Sequence, residues 1–526
     1  MRSLTDYALA FLQAPTILSN LRNISDRCSA NVLARPDLFG ADMIHLSAHP
    51  VTGYSSTRSS SQSKGTCSLE NNDHTSSGLN FCNVTVTYTH PGQHDTIHVN
   101  IWLPLENWNG RFLAAGGGGW ITGSPSDLIP AVELNYAAAS TDGGHALNRS
   151  STSWALSSPG NVNWNALQNF AYRSLDDLAV IGKAITTSFY QSPPEYSYWS
   201  GCSTGGRQGL MLAQRSPRQF DGILAAAPAI EWPTFVISAF WARQRMNRLR
   251  VDPAACELKA FINAAIEACD GLDGLVDGII GAPGLCHFDP QALVGSKFDC
   301  AGDEKVFTSA GATIIQAAWT GPITAEGKAL WFGVNQDAML GMAADTSGQE
   351  GARLTIPEEW ISLFVNKDPS YNTANMTDAE YFAVLKASQR EYDSIMATNW
   401  ADLSEFRDAG GKMITWHGLA DSRIPPNGTS NYYKQVLEQT ANVSGFYRYF
   451  EAPGVGHCAG DLGPAPLDAL GALVEWVERG VEPDTLRAVG QDGDGTVRHL
   501  CLYPLVQRYV GGDPKVAESF ECATGF

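Results

Sequence analysis

Residues 194–210, PEYSYWSGCSTGGRQGL, join two patterns at a serine. The aromatic and small residues up to Gly201 read as a buried strand, and 207–215 are compatible with a helix. Between them, Gly201-Cys202-Ser203-Thr204-Gly205 has the G-x-S-x-G spacing of a sharp strand-to-helix turn that projects a serine hydroxyl into solvent. Small flanking residues are needed because backbone and neighbouring strands crowd such a turn. A nucleophile at this place requires a base, an orienting acid and an α/β setting elsewhere in the chain.

The setting extends on both sides. FCNVTVTYTH (81–90) and DTIHVNIWLP (95–104) alternate apolar and polar residues across PGQH, which predicts a β-hairpin. RFLAAGGGGW (111–120) and NYAAASTDGGHA (135–146) each predict a short buried strand opening into a glycine-rich loop. Leu167, Phe170, Leu175, Leu178 and Ile181 give 165–189 a helical period, and FDGILAAAPA (220–229) reads as another buried strand. The polar, serine-rich stretch 55–77 reads as a loop. Strands alternating with helices predict an α/β fold with a mostly parallel sheet. The next core strand is KMITWHG (412–418), beyond some 180 residues rich in helix formers and tryptophan. The chain therefore divides into a first catalytic part at 1–229, an inserted lid domain at 230–400 and a second catalytic part at 401–526.

The bulk properties bound the function. The 526 residues are 44% hydrophobic and 10% aromatic, as in a globular protein. A formal net charge of −19 disfavours nucleic acid and anionic membranes as partners. No run of 18 apolar residues predicts a membrane span. Eleven cysteines without a C-x-x-C pair argue against structural zinc. Together with N-x-S/T sequons at Asn23, Asn83, Asn148, Asn375, Asn427 and Asn442, they predict a secreted, extracellular glycoprotein. The first 20 residues lack the apolar core of a signal peptide, so a natural leader is expected to precede Met1 or to have been removed.

Two later segments supply the partners of Ser203. MITWHGLADSRIPP puts Asp421 just past an apolar strand at 413–416, and YRYFEAPGVGHCAG puts His457 in a glycine-flanked loop after the strand 447–450. The order Ser, Asp, His is that of α/β-hydrolase triads, whereas His417 precedes the acid and is expected to pack beneath the site. His457 would take the serine proton while Asp421 fixes its tautomer. The backbone N–H of Thr204 is the first candidate donor to the oxyanion, and Gly117, within the run 116–119, the second. Cys202 precedes the nucleophile and Cys458 follows the base, so a disulfide between them would staple the two loops. Asp270, Asp273 and Asp277 crowd ACDGLDGLVDGII (268–280), after a helix with Leu258, Phe261, Ile262, Ala265 and Ile266 on its apolar face. Their repulsion calls for a hard cation with oxygen ligands, in a spacing that is not that of an EF-hand.

The motifs GCSTGGRQG, HGLADSRIPP and GVGHCAG, with CLYPLVQRYVGGDPKVAESFEC at the C-terminus, resemble the tannase and feruloyl esterase family of secreted serine esterases over nearly the whole chain. The resemblance implies an α/β-hydrolase core and a lid domain carrying a structural calcium ion, with the carbonyls of Leu275 and Ile279 joining the three aspartates as ligands. It implies disulfides Cys269–Cys286, Cys256–Cys300 and Cys501–Cys522. The N-terminus departs from the family in being short and cysteine-poor: Cys28, Cys67 and Cys82 are an odd number, and pairing Cys28 with Cys82 leaves Cys67 over. The implied activity is hydrolysis of phenolic acid esters by a monomer or homodimer, foremost release of ferulic and related hydroxycinnamic acids from plant cell-wall polysaccharides. A tannase acting on gallate esters is the alternative within the class. A catalytically dead binding protein on the same scaffold is the alternative outside it, and the intact Ser203, Asp421 and His457 argue against that. The triad itself does not choose between esters and amides.

Overall fold

Nine strands make the central sheet: β1 Asp42–Arg58, β2 His74–Thr89, β3 Ile97–Pro104, β4 Arg111–Ala115, β5 Ala137–Thr141, β6 Tyr196–Cys202, β7 Gly222–Ala226, β8 Lys412–Gly418 and β9 Tyr447–Ala452. The computed structural model describes residues 24–58, 74–145, 147, 150–340, 355–490 and 493–525. Spatial order is β1-β2-β3-β5-β4-β6-β7-β8-β9. The pairs from β1 to β5 run antiparallel, and every pair from β5 to β9 is parallel.

The parallel strands are short and apolar because both faces are covered. Phe112, Ala114, Ala137 and Ala139 face one layer, where Leu175, Leu178 and Ile185 of the helix Ser174–Tyr190 pack with Leu210 of the helix Thr204–Arg215. The alternate residues Leu113, Ala138, Leu224 and Ile414 face the other layer, built on Leu470, Leu473 and Trp476 of the helix Ala469–Arg479. The helix Ser174–Tyr190 lies close to the sheet at Gly182, where a Cβ would stand 2.6 Å from the Phe112 ring.

The stretch 55–77, expected as a loop, is strand at both ends. Ser56 pairs with Ser76, Thr57 with Thr75 and Arg58 with His74. Ladder bonds are made by backbone, so an edge hairpin persists in serines and threonines that offer no apolar signal. Cys67, Asn23 and Asn148 lie outside the described residues.

Among the described residues of 227–411, none adds a strand to the central sheet. They carry the helices Trp232–Ala239, Trp241–Leu249, Ala255–Cys269, Ser309–Thr320 and Asp378–Tyr392, with apolar clusters of their own. One of these clusters reaches back to the core: Trp232 stands 5.2 Å from Trp120, next to the glycine run. Among the described residues five disulfides are formed: Cys28–Cys82, Cys202–Cys458, Cys256–Cys300, Cys269–Cys286 and Cys501–Cys522. Among the described residues no helix is long and apolar enough to cross a membrane.

Candidate active site

β6 ends at Cys202 and the next helix starts at Thr204, so the chain turns at Ser203. Its φ of 64° and ψ of −121° lie where non-glycine residues are rarely found. Backbone bonds hold that strained conformation: the Ser203 N–H donates to the Ala226 carbonyl at 3.1 Å, and the Ser203 carbonyl accepts from the N–H groups of Ala229 and Arg207, each at 3.0 Å. The flanking glycines are required by space. A Cβ on Gly201 would meet the Gly205 backbone at 2.6 Å, and one on Gly206 the Ala226 carbonyl oxygen at 2.2 Å.

The turn aims the hydroxyl at a histidine. His457 Nε2 stands 3.0 Å from Ser203 Oγ, and His457 Nδ1 stands 2.7 Å from Asp421 Oδ2. Asp421 is fully buried beyond the end of β8. Its Oδ1 accepts the N–H groups of Arg423 at 2.8 Å and Ile424 at 3.0 Å. Burial works to raise the Asp421 pKa, but the charge of His457 and hydrogen bonds from His417 and His457 outweigh it and hold the carboxyl well below its usual range. Asp421 is therefore an anion and only accepts, so His457 Nδ1 carries the proton it shares with Asp421. That leaves the Nε2 lone pair facing the serine hydroxyl. The arrangement can move a proton from Ser203 to His457.

His417 is buried, as its place in the chain order suggested, and it also binds the acid. Its Nε2 lies 3.0 Å from Asp421 Oδ2 and its Nδ1 2.9 Å from Thr429 Oγ1. The Nε2–H donates to the carboxylate, and in the tautomer this fixes Nδ1 is the atom that can accept the threonine hydroxyl. Asp421 thus has four donors and little freedom to rotate. The disulfide between Cys202 and Cys458, with Cα atoms 5.9 Å apart, ties the residue before Ser203 to the residue after His457. Cys458 itself has a φ of 67°, so the histidine loop, like the serine turn, is held in an uncommon conformation.

Ser203 and His457 open onto a small cleft. Its other walls are Gly119, Thr204, Ala229, Trp232, Phe235, Ile356, Arg423 and Ile424. Thr204 heads a twelve-residue helix, which favours negative charge at that end. The second expected oxyanion donor needs correction. The N–H of Gly117 donates to Gln208 Oε1 at 3.2 Å, and the glycine on the cleft is Gly119, whose carbonyl accepts from Thr204 Oγ1 at 2.8 Å. A run of identical glycines gives the sequence no means of telling which one faces the serine. Trp232, Phe235, Ile356 and Arg423 escaped sequence reading as site residues. Nothing in an apolar helix or a loop arginine marks it as a wall until the fold closes.

The acidic loop follows the helix Ala255–Cys269. Asp270 accepts from the N–H groups of Asp277 at 3.1 Å and Gly278 at 2.8 Å, and Asp277 Oδ2 pairs with Arg498 at 3.1 Å. Burial, with the charges of Asp277 and Asp270, pushes the Asp273 carboxyl up to about 6. Burial also raises Asp277, against the pull of Arg498. The donors are all oxygens and repel one another, which suits a hard cation. Among the described residues no three His, Cys, Asp or Glu side chains form a group able to hold a metal by themselves, so a cation here would need carbonyl oxygens as well. The loop also lies nearer the triad than its sequence position suggests. A Cβ on Gly454, three residues before His457, would meet the Ile279 side chain at 2.8 Å. Of the sequons within the described residues, Asn375, Asn427 and Asn442 are exposed and Asn83 is half-buried within β2.

Residues 82–523 match the family described as tannase and feruloyl esterase. The chain is 42% identical over 464 residues to a probable feruloyl esterase of Arthroderma benhamiae, covering 85% of this chain and 86% of that one. The tannin acyl hydrolase of Aspergillus niger superposes with a TM-score of 0.82 at 28% identity, over 94% of this chain and 93% of the other. Feruloyl esterase B of Aspergillus oryzae superposes with a TM-score of 0.78 at 28% identity, over 95% of this chain and 100% of the other.

Proposed function

The chain belongs to the tannase and feruloyl esterase family, and from that premise we propose that it hydrolyses hydroxycinnamate esters, feruloyl esters foremost, through an acyl-enzyme on Ser203. The observation that carries this reading is the Ser203–His457–Asp421 relay, with links of 3.0 and 2.7 Å, opening on an apolar cleft. Ser203 Oγ attacks the ester carbonyl as its proton passes to His457 Nε2. The Asp421 anion stabilises the imidazolium, and the Thr204 N–H, with one from the glycine run beside Gly119, receives the oxyanion. His457 then protonates the leaving alcohol, and a water deprotonated by the same nitrogen releases the phenolic acid. The segment 230–400 acts as the lid, contributing Trp232, Phe235 and Ile356 to the cleft.

The same walls favour ferulate over gallate. Gallate carries three ring hydroxyls, and apolar walls at Trp232, Phe235, Ile356 and Ile424 would leave some of them unpaired. Methyl ferulate is expected to exceed methyl gallate by about tenfold or more in kcat/KM. A ratio in favour of gallate, measured side by side, would make the protein a tannase.

Calcium is proposed as a structural ion held by the carboxylates of Asp270, Asp273 and Asp277 and the carbonyls of Leu275 and Ile279. The burial that raises Asp273, with the repulsion of Asp277 and Asp270 added to it, supports the reading. Metal analysis of protein purified without chelator is expected to find about one calcium per chain. Asp273→Asn should lose it together with several degrees of thermal stability, because a ligand that binds only the folded state stabilises that state. Protein that contains no calcium and melts the same with and without chelator would contradict the assignment. Five disulfides support work in an oxidising, extracellular setting, with exposed Asn375, Asn427 and Asn442 as candidate glycan sites.

A further inference from the structure

The cleft is apolar on most sides, and one residue of its lining is a permanent cation. Of its ten lining residues only Arg423 is charged at every working pH, His457 being charged only when protonated. Arg423 is exposed, and among the described residues no carboxylate forms an ion pair with its guanidinium. Its backbone is nevertheless fixed. The Arg423 N–H donates to Asp421 Oδ1 at 2.8 Å, the Ile424 N–H to the same oxygen at 3.0 Å, and Pro425 and Pro426 stiffen the chain that follows. The backbone of an arginine with no ion-pair partner among the described residues is thus anchored to the triad acid, in the cleft that Ser203 and His457 also line. In a chain of net charge −19, long-range attraction would not bring an anion here; a local partner is needed.

We propose that Arg423 is a specificity residue that selects hydroxycinnamate esters whose alcohol part bears a carboxylate. This rests on the feruloyl esterase reading and adds to it the class of alcohol. The acyl group has no second carboxylate, because its own is consumed in the ester, so an anion reaching Arg423 comes from the alcohol side. A guanidinium accepts a carboxylate in a two-bond fork, and a partly exposed charge-assisted contact of this kind is worth roughly tenfold in binding. The carboxylate is remote from the bond that breaks, so ground state and transition state gain alike and the effect falls on KM.

A matched pair tests this: the feruloyl ester of glycolic acid and that of glycolamide, alike except for the charge. The native protein is expected to prefer the glycolate ester by about tenfold in kcat/KM, less at high salt. Arg423→Gln should erase the preference through KM, and Arg423→Lys should restore part of it, having the charge without the fork. Feruloylated uronic-acid and neutral-sugar oligosaccharides, compared in the same way, distinguish a carboxylate on a polysaccharide from one on a small hydroxy acid. Equal rates on both glycolic esters in the native protein, or an equal fall in kcat on both in Arg423→Gln, would overturn the proposal while leaving the esterase reading intact. Hydrolysis of neither ester, nor of methyl ferulate, would overturn the reading beneath it.

Discussion

Ser203→Ala is expected to lower kcat on methyl ferulate by about four to six decades with little change in melting temperature. The magnitude follows from the unit nature of the relay: once the nucleophile is gone, His457 and Asp421 have nothing to activate, and only binding and oxyanion donors remain. The fold should survive because the turn is held by backbone bonds to Ala226 and Ala229 and by glycines that fit without a Cβ, none of which uses the hydroxyl. A normal melting curve with a large share of the native activity would place the nucleophile elsewhere.

Removing the bridge between Cys202 and Cys458 is expected to have the next largest effect. Ser203 and His457 lie 254 residues apart, and their 3.0 Å contact depends on two loops meeting in register. Each loop holds an uncommon backbone angle at the site, 64° at Ser203 and 67° at Cys458. Displacement by about 1 Å is enough to cost on the order of a hundredfold in rate. Cys202→Ala and Cys458→Ala should therefore each lose about ten- to a hundredfold in kcat, and the double variant should be little worse than either, as for one interaction counted once. The bridge closes a loop with a sequence separation of 256, so roughly 2–5 kcal/mol of stability should go with it. Activity is best compared at a temperature where all the variants are folded. Full activity in either single variant would reduce Cys202 to a small residue filling a tight turn.

The parts of this site that lie within one local pattern were legible in the sequence. A serine between glycines, at the change from a buried strand to a helix, has few other structural meanings, and β8 and β9 announce themselves as apolar runs just before Asp421 and His457. The bridging cysteines were legible because each adjoins a residue already assigned. The rest depends on distances that sequence does not carry. The strand ends at Ser56 and Ser76 are held by backbone pairing and have no apolar alternation. Gly117 and Gly119 are chemically identical, and only the fold shows that Gln208 occupies the N–H of the first. Ile356 and Trp232 sit over a hundred residues apart and become two walls of one cleft only when the segment between β7 and β8 folds back. The second hydrogen bond of His417 to Asp421 is likewise a contact made by tertiary packing.

The proposed reaction passes through a covalent acyl-enzyme on Ser203. Acid quenching during turnover of a feruloyl ester, followed by peptide mass mapping, tests it most directly. A feruloyl group is expected on the peptide containing Ser203 in the native protein and none in Ser203→Ala. A feruloyl adduct on any other residue, or product formation by Ser203→Ala at the native rate, would contradict it.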